Sequence, residues 1–442
     1  MMAAIAAGFA LLLAPAIWNG FPLLQYDTGG YLARWYEGYL VPSRSTVYGL
    51  VLFWLQKPDF WPVAVLQTGM TLWTLALVLR VYGFGRRPLV LFVTAIMLAL
   101  GTSLPFLTGI LLTDIFAGLS VLALYLIVVR PKALTRWERA ALMALIGFSV
   151  ATHSATFAVI LVLLGAALAV AWRRRDLVTL TGIARGVLSL ALGGVMLLSA
   201  NFALSGKLAW TPGGYGILFA RMMQDGIVKR YLDQHCAEHA YKLCPYRNNF
   251  PETADAFLWG DSVFNTLGRF AGLDPEMREI VLGSLRAYPL WQIQAAAKAV
   301  AIQLVRVESG EGVVKEIWHT EGMVERYVPA ALPGLRAARQ HRTELSFDAI
   351  NAIHVPVAIG SLLALLALIA IGARRRRFAQ LGGLAATAAV AILANAAICS
   401  IISNPHARYG ARLAWVATFV VIIAAWEMLS DACPASAEGS DS

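Results

Sequence analysis

The stretch MAAIAAGFALLLAPAIWN, residues 2–19, contains no charged side chain and is soon followed by Tyr26-Asp27-Thr28-Gly29-Gly30-Tyr31. A run of about 20 apolar residues is long enough to cross a bilayer as a helix. The second stretch therefore lies where the chain is expected to leave the membrane. Its carboxylate, glycine pair and tyrosines are typical either of an aromatic anchor at the membrane surface or of a catalytic loop.

The whole chain has the composition of a polytopic membrane protein. Of its 442 residues, 59% are hydrophobic and 14% are charged, and the mean hydropathy is +0.65. Soluble proteins are about 45–50% apolar and about 25% charged. One soluble core cannot enclose this excess, so the sequence predicts an all-α transmembrane bundle. The net charge of +10 is explained by loop charges that orient the spans, and no nucleic-acid partner is expected.

Apolar runs of suitable length predict about ten spans. They cover residues 2–19, 61–82, 88–104, 114–130, 139–152, 156–172, 183–204, 353–372, 379–400 and 411–430. The fifth and sixth spans result from a break at Thr152-His153-Ser154. The shorter apolar segment 46–55 is predicted to be an interfacial or re-entrant helix. The first span is expected to be retained rather than cleaved as a signal peptide, because no Lys or Arg precedes Arg34.

The Lys and Arg residues of the loops predict the orientation. With the N-terminus in the cytoplasm, 15 of them lie in cytoplasmic loops and 5 in short external loops, while 16 lie within residues 205–352. Cytoplasmic loops are enriched in Lys and Arg. The distribution therefore predicts cytoplasmic termini and an extracytoplasmic segment between spans seven and eight.

Four parts are predicted along the chain. They are an N-terminal transmembrane module at 1–204 with its first external loop at 20–60, an extracytoplasmic region at 205–352, transmembrane helices at 353–430 and a disordered cytoplasmic tail at 431–442. The 205–352 region is too long for a structureless loop and is expected to be largely helical. It contains Cys236 and Cys244, which form a disulfide if the region is extracytoplasmic or are otherwise free thiols.

Several polar side chains are predicted to lie at the ends of different spans on the extracytoplasmic face. Ionisable residues in such positions are functional candidates. The candidates are Asp27, Arg44, Asp114, His153, His406, Arg408 and Tyr409. Because they come from distant parts of the chain, their convergence on one face is the strongest functional signal in the sequence.

The three candidates nearest the first spans each have a chemical and a structural interpretation. Asp27 is expected to act as a general base towards an acceptor hydroxyl, or else it belongs to a turn or helix cap. Asp114 lies among apolar residues and either caps the fourth span or pairs with a buried cation. Arg44 lies between two serines and suits a phosphate or carboxylate ligand, unless it only extends its charge to the membrane surface.

The other candidates are predicted to bind substrate. His153 interrupts an apolar run, where it is either structural or part of a site. His406 and Arg408 precede the last span, and Arg408 suits a carboxylate or phosphate. The alternative for Arg408 and Tyr409 is anchoring at the membrane edge.

In this arrangement the chain resembles the GT-C glycosyltransferases, over residues 1–200 chiefly. The resemblance rests on the stretch 26–31 followed by the juxtamembrane stretch 32–55, on Asp114 as an acid in the next external loop, and on the Arg408-Tyr409 pair before a late span. It implies an inner-membrane enzyme that moves a sugar from a polyprenyl-phosphate carrier to an acceptor on the outer face. Asp27 would be its catalytic acid, and membrane lipid and the sugar donor would be its partners.

The sequence departs from this family in one important position. Many members carry two adjacent acids in the first loop, whereas Asp27 is followed by Thr28. The resemblance therefore assigns no cofactor, and a divalent metal is a weaker expectation than in those members. Two other classes stay open: a transporter or flippase for a lipid-linked sugar or small solute, and a non-catalytic scaffold of the cell envelope.

Overall fold

The computed structural model describes residues 1–432, and this part of the chain is built from helices. An isolated parallel β-bridge joins Leu23 to Ile110. The all-α class is therefore confirmed. Of the tail predicted to be disordered at 431–442, the first two residues complete the last helix and the rest lies outside the described residues.

Twenty-two α-helices follow one another along the described chain. Those of the N-terminal part are α1 (Met2–Asn19), α2 (Tyr26–Leu32), α3 (Arg34–Glu37), α4 (Thr46–Trp54), α5 (Trp61–Val81), α6 (Pro88–Gly101), α7 (Leu104–Gly109), α8 (Ile115–Val129), α9 (Arg136–Thr152), α10 (Ser154–Arg173) and α11 (Leu180–Ser205). Those of the middle part are α12 (Gly214–Gln224), α13 (Ile227–His235), α14 (Ala254–Trp259), α15 (Val263–Thr266), α16 (Arg269–Ala287), α17 (Pro289–Val305), α18 (Trp318–Tyr327) and α19 (Leu332–Ala337). The last three are α20 (Asp348–Arg374), α21 (Ala379–Ile402) and α22 (Ala407–Ala432).

Within residues 1–432, seven helices are long and apolar enough to cross a membrane, namely α1, α5, α10, α11, α20, α21 and α22. The chain is therefore a membrane protein. Each of the ten predicted spans corresponds to a helix, and the predicted break at His153 separates α9 from α10. Three of the ten, α6, α8 and α9, have 14, 15 and 17 residues and are not among these seven helices. The helix α6, with 14 residues, rises about 21 Å against a hydrocarbon core of about 30 Å.

Helix α8 lies at the centre of the bundle. Every residue from Ile115 to Val128 is buried, and α8 packs against α5, α9, α11 and α22. A helix that is apolar all round belongs in the core of a large protein or in a membrane. Enclosure by other helices explains why its 15 residues have the composition of a span without the length of one.

The middle region divides into two parts. Residues between Phe219 and Val281 form a hydrophobic cluster of their own, and Cys236 and Cys244 form a disulfide against it. Residues between Val313 and Ala338 instead belong to the main core of the bundle. The second part of the predicted 205–352 segment is therefore continuous with the core of the transmembrane helices.

A glycine sets the distance between α8 and α22. A Cβ atom at Gly118 would lie 2.4 Å from Cζ2 of Trp415, whose side chain is completely buried. Real Cβ atoms do not approach other atoms so closely, and a packed core has no free volume to absorb the shift. The close contact holds the start of α22 beside the start of α8.

We predict that Gly118→Ala destabilises the protein by about 1–3 kcal/mol, the usual cost of overpacking. The thermal unfolding midpoint of the detergent-purified protein measures it. Gly165→Ala in α10 is the matched control, because open space surrounds that position and alanine favours a helix by about 0.5–1 kcal/mol. Equal midpoints for the two variants would contradict the account.

A candidate anion-binding site at one end of the helix bundle

The ends of four helices bring ionisable side chains together on one side of the bundle. Asp27 belongs to α2, which follows the end of α1, and Asp114 directly precedes α8. His153 lies between α9 and α10. Arg408 and Arg412 lie in the first two turns of α22. The contacts between these side chains define the candidate site.

Backbone pairing holds the chain before Asp27 against the chain before Asp114. The amide of Leu23 donates to the carbonyl of Gly109 and the amide of Leu111 donates to the carbonyl of Leu23, both at 2.9 Å. Thr28 Oγ1 adds a hydrogen bond to the carbonyl of Leu111 at 3.2 Å and accepts one from the amide of Gln25 at 3.1 Å. Thr28 therefore has a structural role, because it ties the start of α2 to the segment before α8.

The Gly29-Gly30 pair is required by two close approaches. A Cβ at Gly29 would lie 2.6 Å from the Cα of Thr320, and one at Gly30 would lie 3.0 Å from Nε of Arg44. Thr320 of α18 accepts a hydrogen bond from the amide of Gly29 at 2.9 Å and donates one to the carbonyl of Gln25 at 2.7 Å. The pair thus lets α18 pack on one side of α2 and Arg44 cross the other.

Asp27 is paired with two arginines. One carboxylate oxygen accepts a hydrogen bond from Nη2 of Arg44, and the other accepts one from Nη1 of Arg408 at 2.9 Å. All three side chains are largely buried, with 14–19% of their surface exposed. Burial alone would raise the pKa of the Asp27 carboxyl, but the charges of Arg44 and Arg408 outweigh it and lower the pKa to about 2.

Behind this pair lies a second, fully buried ionic layer. Asp114 Oδ2 lies 3.2 Å from Nε of Arg408, and its Oδ1 lies 3.7 Å from Nη1 of Arg412. Asp114 and Arg412 are 1% and 0% exposed. Since buried charges persist only when they are paired, the charge of Asp114 depends on these arginines. Three guanidinium groups thus meet two carboxylates, and the cluster has one excess positive charge.

Neutral groups complete the inner layer. Nε of Arg412 donates to Oδ1 of Asn395 at 2.8 Å, and Nη1 lies 3.4 Å from Nδ1 of His153. Burial and the neighbouring charges of Arg412 and Arg408 hold the pKa of His153 well below its usual value. His153 is therefore neutral at pH 7 and leaves the excess positive charge in place.

A separate ionic group covers the start of α22. Nδ1 of His406 lies 2.8 Å from Glu311 and its Nε2 lies 3.3 Å from Asp255. The other oxygen of Glu311 accepts the amide of Arg408 at 2.7 Å, where the helix dipole favours an acid. Glu311 is flanked by Gly310 and Gly312, which both have positive φ. A Cβ at Gly310 would clash with Phe347 and one at Gly312 with Gln25, so only glycine fits on either side of Glu311.

All of the predicted site residues lie at this end of the bundle, but they make two kinds of contact. Asp27, Arg44, Asp114, His153 and Arg408 belong to one network. His406 faces Glu311 and Asp255 instead, and the Tyr409 ring lies 5.4 Å from the Arg408 guanidinium. Their catalytic and binding roles stay predictions.

Sequence reasoning missed three important members, Arg412, Glu311 and Gln25. Arg412 follows Arg408 by one helical turn, so the shared face was visible in the sequence. Glu311 stands between two glycines in a Gly-Glu-Gly run, but its partner is 97 residues away. Gln25 Oε1 accepts from Nη1 of Arg408 at 2.5 Å across 383 residues, and no local pattern reports such a contact.

No grouping of three or more His, Cys, Asp or Glu residues suited to a metal ion occurs in the described part of the chain. Comparison with protein families, curated proteins and solved structures found no match for this chain.

We predict that Asp114→Asn destabilises the protein by about 3–5 kcal/mol, because it leaves Arg412 charged and buried without a counter-ion. Thermal unfolding in detergent measures the loss, and the double variant with Arg412→Gln should lose less than the sum of the single variants. Arg174→Gln breaks an exposed pair with Asp176 and should change little. Additive losses would contradict a direct Asp114–Arg412 interaction.

We predict that the ion pairs of His406 with Glu311 and Asp255 make the stability of the protein depend on pH. Burial alone would lower the pKa of His406, but its contacts with Asp255 and Glu311 raise it from 6.5 to about 9. A raised folded-state pKa stabilises below the unfolded value, and that contribution is lost as the pH rises to the folded value. The unfolding midpoint should therefore fall between about pH 6.5 and about pH 9.

The control variants separate His406 from other histidines. In His406→Gln the decline over this interval should disappear. In His319→Gln it should persist, because burial and the nearby Arg44 lower the pKa of His319, which titrates below the interval. A decline that is unchanged by His406→Gln would exclude this origin.

Proposed function

We propose that this membrane protein is a glycosyltransferase that takes a sugar from a polyprenyl-phosphate donor and transfers it to an acceptor on the extracytoplasmic face of the inner membrane. The observation that carries the proposal is the convergence of Arg44 and Arg408 on Asp27 at one end of the bundle, within a cluster of excess positive charge.

The partly exposed arginines suit a phosphate. A guanidinium group offers several N–H donors in a plane and binds phosphate oxygens in pairs. Arg408 lies in the first turn of a helix that is long and apolar enough to span a membrane. A lipid phosphate at the membrane surface would reach this position with its chain still in the bilayer.

The same geometry provides a route for sugar transfer. The acceptor hydroxyl attacks the anomeric carbon of the donor sugar while the bond from that carbon to the phosphate oxygen breaks. The leaving phosphate retains the bonding electron pair, and its charge is stabilised by Arg44 and Arg408. The hydroxyl proton passes to the Asp27 carboxylate as general base. Fixed charges in a site of low polarity are effective in this role.

Asp114 and Arg412 would act through Arg408. Both are completely buried and lie behind it, so neither is available to a substrate. Asp114 lies 3.2 Å from Nε of Arg408, while Nη1 of Arg408 bonds to Asp27. A positioned arginine loses less conformational entropy on binding a phosphate than a free one.

Two further observations support the extracytoplasmic face. The disulfide between Cys236 and Cys244 suits an oxidising compartment. The loop charges counted in the sequence favour the same side. A transporter is less well supported, because transporters usually bind substrate near the bilayer midplane. Arg412 lies only about 8 Å along the axis from the start of α22, at about 1.5 Å per residue.

We predict that Asp27→Asn lowers the rate of sugar transfer by at least about 10²-fold, the usual contribution of a general base. The assay uses purified protein in proteoliposomes with isotope-labelled polyprenyl-phosphate sugars and an envelope extract as the acceptor source. Asp233→Asn is the control, because this acid pairs with Lys229 on the exposed surface and should retain full activity. Full transfer by Asp27→Asn would exclude Asp27 as the base.

A further inference from the structure

The proposed phosphate site is already occupied by a side chain of the protein. Each carboxylate oxygen of Asp27 is bonded to a different arginine, one to Arg44 and the other to Arg408. An ionised carboxylate presents two oxygens to these guanidinium groups much as a phosphate would. The arginines therefore cannot bind a substrate phosphate fully, and Asp27 cannot accept a proton freely, while these contacts persist.

We propose that Asp27 is an internal ligand of the arginine pair, and that the phosphate of the donor displaces it and thereby frees it to act as the base. This inference rests on the proposed function and adds an order of events to it. The ligand class is a phosphate ester, and the exchange needs only a local change of Asp27 because the arginines have other partners.

The contacts around Arg408 support a local exchange. Its Nη1 also donates to Gln25, and its Nε faces Asp114 at 3.2 Å. The Arg44 guanidinium lies 5.8 Å from the Tyr31 ring, its side chain passes close to Gly30, and its Nη1 donates to the carbonyl of Ser43 at 3.3 Å. In the described part of the chain, the Asp27 carboxylate forms hydrogen bonds only with Arg44 and Arg408. Arg44 and Arg408 therefore each have contacts other than Asp27, whereas the Asp27 carboxylate is bonded only to these two arginines in the described part of the chain.

The exchange also explains how an acid held by two arginines serves as a base. While it is paired, the pKa of Asp27 is about 2, which makes the carboxylate a weak proton acceptor. Transfer of the arginines to a phosphate returns its pKa towards the usual value near 4. A base is more effective as its pKa approaches the working pH. Proton transfer is thereby restricted to the complex that contains a donor.

The test is the affinity of the purified protein for two probes, dodecyl phosphate and inorganic phosphate, measured by calorimetry in detergent. Loss of an internal competitor should make Asp27→Asn bind dodecyl phosphate about tenfold more tightly or better than the wild type, a difference of about 1.4 kcal/mol. Asp27→Glu keeps a carboxylate and should resemble the wild type. Asp27→Ser is the second variant if Asp27→Asn does not fold.

Asp255→Asn is the matched control for charge. It removes one negative charge from the same end of the bundle, but its carboxylate pairs with His406 and not with the arginines. Its affinity should stay within about twofold of the wild type, since exposed charges are screened. An equal gain in Asp255→Asn and Asp27→Asn would overturn the exchange, because a general effect of charge would then explain it.

The remaining outcomes separate the exchange from the proposed function. If Arg44→Gln and Arg408→Gln abolish binding while Asp27→Asn binds no better than wild type, the exchange is wrong and the phosphate site stands. If neither arginine variant weakens binding, the phosphate site fails and the exchange fails with it. A gain confined to inorganic phosphate would overturn the assignment of a lipid headgroup.

Discussion

The pairing of Arg408 with Asp27 and Asp114 joins three parts of the chain that are far apart in sequence. It connects the end of α1, through α2, to the start of the central helix α8 and to the start of α22. Close packing of Gly118 against Trp415 brings α8 and α22 together, and the bridge at Leu23 aligns the segment before α2. These packing and backbone contacts bring the charged residues of the cluster together. The ion pairs of the cluster in turn connect α2, α8 and α22 at this end of the bundle.

Such a cluster carries a large desolvation free energy, because its charges are removed from water. Burying five ionised side chains costs free energy that hydrophobic residues of similar size would not require. The two layers of the cluster differ in burial. Asp114 and Arg412 are inaccessible to solvent, whereas Asp27, Arg44 and Arg408 are partly exposed. The inner layer holds the outer one in place, and we propose that the outer one binds a ligand once Asp27 is displaced. An excess positive charge makes an anion the natural ligand.

Much of this was accessible from the sequence, for reasons that differ between elements. Hydropathy located the helices, because burial in a bilayer or in a bundle demands the same apolar composition. For that same reason it does not distinguish a membrane span from an enclosed helix such as α8, which has a span's composition without its length. The distribution of loop charges and the ends of the predicted spans together predicted that Asp27, Asp114 and Arg408 lie on one side of the bundle. The partners Glu311 and Gln25 were beyond prediction, because they are set by tertiary packing across hundreds of residues.

The central claim is that the arginine pair is a phosphate site occupied by Asp27 until a donor arrives. The most direct measurement is a structure of the protein determined with dodecyl phosphate bound. The account predicts the phosphate within hydrogen-bonding distance of both Arg44 and Arg408, with the Asp27 carboxylate moved away from them. A phosphate bound elsewhere, with Asp27 still bonded to both arginines, would contradict it.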